Sequence, residues 1–143
     1  MDKVLSLYRQ LNQSGVRFYC WDMGDERAAT VELQGRYGIF VDFDNIHSQA
    51  EELVTVAHEG GHCMTGATHK VSSPYDLIEQ HEKKAWKWAV CHLISRKELD
   101  AAVADGYTDL WSLAEYFGVT ESFMRKVVCL YINGNLADEL YFC

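Results

Sequence analysis

The sequence predicts an α+β protein in which a small N-terminal antiparallel sheet packs on helices. Its β-prone segments all lie before residue 44, whereas the later chain consists of helical segments separated by short turns. The chain has 143 residues and contains no internal repeat, low-complexity stretch or Pro/Ser-rich linker. We therefore expect a single domain over residues 1–143.

The N-terminal elements follow from residue spacing and from glycine positions. The apolar residues of Lys3–Asn12 recur at helical spacing, which predicts a first helix. Gly24 and Gly35 then separate short β-prone segments and predict turns between them. The predicted strands are Val16–Trp21, Ala28–Leu33 and Gly38–Phe43.

The helical part of the chain begins at Ser48, which is a good N-cap and forms a capping-box pattern with Glu51. This second helix is expected to run to about Met64 and to stop at Gly66. The next should begin at Ser73-Pro74 and continue to about Ile94. Three further helices are predicted over Arg96–Val103, Thr108–Phe117 and Glu121–Asn133, the last ending at Gly134.

Charge and composition disfavour several classes of function. Lys plus Arg number 13 and Asp plus Glu number 21, so the formal net charge of −8 disfavours binding to nucleic acid or to anionic membranes. No apolar run approaches the roughly 18 residues of a membrane helix, and no signal-peptide pattern begins the chain. We therefore expect a cytoplasmic protein whose five cysteines are reduced.

The string His58-Glu59-Gly60-Gly61-His62 lies inside the second predicted helix. Residues four apart share one helix face, so both imidazoles can reach a single metal ion. Glu59 points about 100° away from His58 around the helix axis, which suits contact with a water on that ion. The pattern predicts a zinc site; the alternative is a helix with two histidines and no metal.

Gly60 and Gly61 are costly inside a helix, at roughly 1 kcal/mol each relative to Ala. They predict a close approach of another backbone segment, plausibly the one that closes over the metal. The alternative is that the helix frays at this point.

A third metal ligand is expected from the following helix. Glu82 lies within an apolar stripe, where an unpaired carboxylate would be expensive to bury and a cation would remove that cost. The other members of the stripe are Ile78, Ala85, Ala89 and Leu93. Glu79 is the competing ligand, but its i,i+4 pairing with Lys83 indicates a solvated edge. We therefore favour Glu82.

Two strings together resemble the ImmA/IrrE family of phage and mobile-element metallopeptidases. The first is His58-Glu-Gly-Gly-His62-Cys-Met-Thr-Gly66, and the second is His81-Glu82-Lys-Lys-Ala85-Trp-Lys-Trp88-Ala89. The likeness covers most of the chain beyond about Gly15. It implies a zincin-like, thermolysin-like minimal core with the Glu as third ligand, and a repressor encoded nearby as target. Gly60 departs from the family's Leu or Ile and should loosen packing behind the site.

The expected function is a zinc-dependent endopeptidase with Zn²⁺ on His58, His62 and Glu82. The ion would lower the pKa of its water towards about 7, and Glu59 would act as general base. Tyr75 or His69 could stabilise the oxyanion, and His81 could orient Glu82 from behind. The expected partner is a protein substrate, a helix-turn-helix repressor.

Other chemically interesting residues receive weaker assignments. Cys63 adjoins a ligand but points away from it, and no partner is evident for His47 or His92. Helical spacing assigns the tryptophans at 86, 88 and 111 to core packing.

The segment around Ala114, Gly118 and Met124 resembles a helix-turn-helix. The alternative function is therefore a non-catalytic regulator with a structural zinc, which binds DNA or protein through this C-terminal helix pair.

Overall fold

A computed structural model of the chain describes residues 2–66 and 74–133 and confirms the α+β class. The predicted helices and strands are all present within these residues, with small shifts at their ends. The order is α1 (Lys3–Gln13), β1 (Arg17–Cys20), β2 (Ala28–Leu33), β3 (Arg36–Val41), α2 (Gln49–Thr65), α3 (Tyr75–Leu93), α4 (Arg96–Ala104), α5 (Leu110–Phe117) and α6 (Glu121–Asn133). Ser73 and Gly134, predicted as helix boundaries, lie outside the described residues.

The sheet differs from the expected antiparallel arrangement. Its order is β1-β3-β2, with β2 antiparallel to β3 but β1 parallel to β3. The chain leaves β1, crosses to the opposite edge for β2, and returns through a tight turn at Gln34-Gly35 to place β3 in the middle. Both turn residues have positive φ, as a two-residue hairpin turn requires. The consequence for the site is that β2 forms an edge of the sheet.

Helix α2 lies at the centre of the fold. Its N-terminus is capped as predicted, because the Ser48 side chain accepts a hydrogen bond from the Glu51 N–H. The Glu51 carboxylate, however, accepts from the N–H of His47 instead of that of Ser48, so the capping box is not reciprocal. The helix packs against α1, α3 and strands β2 and β3, whose inward side chains include the buried Ile39 and Val41.

The two glycines of α2 allow close packing on two sides. A Cβ on Gly61 would lie 2.3 Å from the backbone oxygen of Ala85, so α3 approaches α2 at this point as the sequence predicts. A Cβ on Gly60 would lie 2.8 Å from Cδ1 of Leu11, which is fully buried. The alternative of fraying is wrong, because α2 continues to Thr65. The expectation of loosened packing at Gly60 is also wrong, because Leu11 fills that space.

The C-terminal helix pair α5–α6 packs through buried side chains, among them Phe123 and Met124. The assignment of Trp111 to the core is wrong, because this residue is 64% exposed on α5. Spacing along one helix cannot reveal which of its faces the other described elements cover. Within residues 2–66 and 74–133, no helix combines the length and the apolar content that a bilayer crossing requires.

Candidate metal centre

Two neighbouring helices bring three ligand-type side chains together. His58 and His62 project from one face of α2, and Glu82 projects from α3. The Glu82 Oε2 atom lies 3.1 Å from Nε2 of His58, and Oε1 lies 3.0 Å from Nε2 of His62. The donor atoms all lie within 4.8 Å of one another, and no other such group of His, Cys, Asp or Glu occurs in the described part of the chain.

This donor set fits zinc. Ligands about 2.0–2.1 Å from a tetrahedral ion are separated from one another by roughly 3.3 Å, close to the two nitrogen–oxygen distances. Burial opposes ionisation of Glu82, but hydrogen bonds from His58 and His62 outweigh it and hold the pKa of this carboxyl well below its usual range. The carboxylate is therefore anionic and poised to bind a cation. The competing acid, Glu79, is exposed and lies outside the group.

Glu59 is buried beside the ligands without being one of them. Its Oε1 atom accepts a hydrogen bond of 3.0 Å from the hydroxyl of Thr30, which also donates to the Glu59 backbone oxygen at 3.2 Å. Thr30 lies on the edge strand β2, so the strand fixes the orientation of the carboxylate. Sequence reasoning missed Thr30 because an isolated Thr in a β-prone segment carries no motif.

A cleft of about 1090 Å³ opens over the ligands. The residues of β2 and α2 line one part of it, and Glu82, Trp86 and the N-terminal turns of α6 line another. Of the three candidate ligands, Glu82 has the most exposed side chain, at 38% against 16% for His58 and 7% for His62. Within residues 2–66 and 74–133, the site is thus most accessible on its Glu82 side.

Residues 4–127 match the family model of the IrrE N-terminal-like domain, peptidase M78. The chain belongs to this family. The resemblance to ImmA/IrrE metallopeptidases is thereby confirmed over most of the chain. No curated protein and no solved structure gave a significant match. Family membership supports the metallopeptidase class.

Of the residues suggested for oxyanion or supporting roles in this M78 domain, the two that the structure describes do not line the cleft. Tyr75 is 75% exposed and does not line the cleft. His81 is half-buried on α3 and is also absent from the cleft lining. His69 lies outside the described residues. The roles of all three remain predictions.

Two other residues with weak assignments have clear surroundings. Burial raises the pKa of the Cys63 thiol to about 12, which keeps it protonated in the metal-free chain, and Cys63 lies outside the group of candidate ligands. His92, for which the sequence indicated no partner, has Nε2 2.9 Å from Oε1 of Gln10 and stacks on Trp88 at 4.5 Å between ring centroids.

Trp86 packs against the core, as the sequence predicts, and it also borders the candidate metal site. Its ring is only partly buried, and its centroid lies 4.0 Å from that of the His58 imidazole. The Lys126 ammonium lies 4.7 Å from the same indole centroid. Both Trp86 and Lys126 line the cleft. One side of the M78 site is therefore formed by the indole of Trp86, which the spacing of α3 alone did not reveal.

Proposed function

We propose that this M78 domain is a zinc-dependent endopeptidase in which His58, His62 and Glu82 bind the ion and Glu59 is the general base. The observation that carries the proposal is the convergence of two imidazole nitrogens and a carboxylate in an open cleft, with a second acid, the buried Glu59, beside them. A structural zinc site normally has four protein ligands and needs no base. The described residues supply three ligands, which favours catalysis over the alternative of a structural zinc.

When bound, zinc supplies a Lewis acid that polarises the substrate carbonyl and increases the acidity of water. Glu59 accepts the proton of the attacking water and then delivers it to the leaving amine, which cannot depart as an anion at neutral pH. The hydrogen bond from Thr30 holds one carboxylate oxygen of Glu59 in place throughout this transfer. The chain's own contribution is therefore an oriented base within a cleft that admits peptide.

The substrate proposed for this site is an extended segment of a protein. Strand β2 is an edge of the sheet, and its residues Ala28, Ala29 and Thr30 line the cleft. The unpaired side of an edge strand offers backbone donors and acceptors to an added strand. We propose, from the family resemblance, that the segment belongs to a helix-turn-helix repressor of a phage or mobile element, cleaved in the cytoplasm.

The test compares zinc-loaded wild type with Glu59→Gln and Glu79→Gln, each incubated with the repressor encoded nearby and with a mixture of unfolded proteins. We expect cleavage by wild type and by the exposed control Glu79→Gln. Glu59→Gln should keep one zinc and lose about 10³-fold in cleavage rate, within the range for a lost general base. A Glu59→Gln enzyme as fast as wild type would refute the assigned role of Glu59.

A further inference from the structure

We infer that Trp86 is a positioning residue for His58 and that Lys126 helps to keep the indole in place. This inference rests on the metal-binding part of the proposed function and does not require peptidase activity. It assigns the indole of Trp86 a role in metal affinity.

Among the described residues, His58 lacks the hydrogen-bonding support that a metal-binding histidine ordinarily has. Such a histidine usually donates its second ring N–H to a carboxylate or a carbonyl, which fixes the orientation of the ring. In the described part of the chain, Nδ1 of His58 is buried and has no hydrogen-bond partner. Glu82 Oε2 lies 3.1 Å from Nε2, so one side of the ring has a polar contact, and the orientation of the Nδ1 side depends on packing against neighbouring rings.

Trp86 provides such packing. The planes of the indole and the imidazole are inclined by only 32° at a centroid separation of 4.0 Å, so the two rings lie largely face to face. Rotation of the imidazole about its Cβ–Cγ bond would drive a ring edge into the indole. Glu82 and Trp86 are four residues apart and share one face of α3. One face of α3 thus supplies the proposed ligand Glu82 and, through Trp86, orients the second proposed ligand, His58.

Helix α6 in turn supports the indole. The ring of Phe123, a fully buried residue, lies 6.1 Å from Trp86 between centroids. Lys126, one turn later on the same helix, places its ammonium 4.7 Å from the indole centroid, within cation–π range. A zinc-bound imidazole carries additional positive charge, so contact with the electron-rich indole face should become more favourable once metal binds.

The experiment measures zinc dissociation constants by competition with a chelator. Trp86→Phe keeps a flat ring and should bind zinc within about threefold of wild type. Trp86→Met keeps apolar volume without a flat ring and should bind at least about 10-fold more weakly, as expected when support behind a ligand is lost. The control is Trp88→Met on the same helix, since Trp88 stacks on His92, which is not a ligand. It should keep the wild-type zinc affinity.

Unfolding in EDTA separates this role from a general loss of stability. Both Met variants should lose metal-free stability, but only Trp86→Met should lose zinc affinity. A Trp86→Met chain that binds zinc within about threefold of wild type would overturn the inference. A wild-type chain that binds no zinc would instead refute the proposed metal site, so the two failures are distinguishable.

A second readout does not depend on Trp86→Met folding. Co²⁺ quenches a tryptophan that touches one of its ligands, so saturation should remove more emission from wild type than from Trp86→Phe. In Trp88→Phe, Co²⁺ should remove nearly as much tryptophan emission as it does in wild type. Equal loss of emission in wild type and Trp86→Phe would overturn the inference.

Discussion

Replacing Gly61 with alanine tests whether the close approach of α2 and α3 builds the metal site. The added Cβ would lie 2.3 Å from the oxygen of Ala85 and 2.9 Å from its carbonyl carbon and Cα. These are backbone atoms, so no side chain can rotate away to relieve the contact. Gly60→Ala is the matched control, because its Cβ would meet only the flexible end of Leu11, at 2.8 Å.

The expected magnitude follows from these distances. Ordinary contact begins at 3.4 Å, so the Ala85 carbonyl must move by about 1.1 Å (3.4 − 2.3) in Gly61→Ala. Overpacking of this kind costs about 3 kcal/mol, at the upper end for cores because backbone must shift. Alanine has a higher helix propensity than glycine by about 1 kcal/mol, so the net loss in the free energy of unfolding is about 2 kcal/mol. Gly60→Ala should be close to neutral, because the smaller steric cost and the same propensity gain nearly cancel.

The metal site should respond more strongly than stability does. Glu82 lies one turn before Ala85, and binding sites tolerate deviations of only about 0.2 Å in ligand distance. We therefore expect Gly61→Ala to weaken zinc binding by more than about 10-fold, with Gly60→Ala within about threefold of wild type. Denaturant unfolding in EDTA and chelator competition measure the two effects. Equal stability and equal zinc affinity of the two variants would show that the approach of α3 to Gly61 does not build the metal site. Wild-type zinc affinity in Gly61→Ala would show the same.

Three further predictions concern individual side chains. Burial raises the pKa of Cys63 to about 12 from an unfolded value near 8.5. The stability that the buried, protonated thiol contributes is therefore fully present below about pH 8.5 and is lost as the pH rises towards 12. Thiol reagents at pH 8 should therefore modify the exposed Cys20 and Cys91 and spare Cys63 in the native chain, and mass spectrometry that found equal labelling would contradict this. Trp111→Ala should change the free energy of unfolding by no more than about 0.5 kcal/mol, because the residue is 64% exposed. A loss of stability above about 2 kcal/mol in a denaturant titration would show that Trp111 has a packing role. Thr30→Val should keep one zinc but lower kcat about 10-fold with little change in KM, whereas Thr30→Ser should behave like wild type; identical kinetics for Val and Ser would exclude a role for the hydroxyl.

Local sequence signals predicted the elements of the site well. The Ser48 cap and the spacing of His58 and His62 are properties of one helix, so periodicity was sufficient to place both imidazoles on one face. The carboxylate partner could also be inferred, because Glu82 interrupts an apolar stripe. The geometry brings Glu82, rather than Glu79, to the two histidines.

Long-range contacts could not be predicted in the same way. Thr30 reaches Glu59 only because β2 lies at the edge of the sheet beside α2, and strand order depends on a crossover that no local pattern encodes. Trp86 and Trp111 both lie at helical spacings, yet one borders a proposed ligand and the other is exposed. The neighbouring helices decide that difference, and their arrangement is a property of the whole chain.

Every role proposed for these side chains depends on the binding of one metal ion between α2 and α3. The most direct test of that binding is the zinc content per chain of wild type, Glu82→Gln and Glu79→Gln after identical loading and gel filtration. We predict one equivalent in wild type and in Glu79→Gln, and almost none in Glu82→Gln, because Glu82 is the one acid among the described residues that lies 3.0–3.1 Å from both imidazole nitrogens. A full equivalent of zinc in Glu82→Gln, or its loss in Glu79→Gln, would contradict this account.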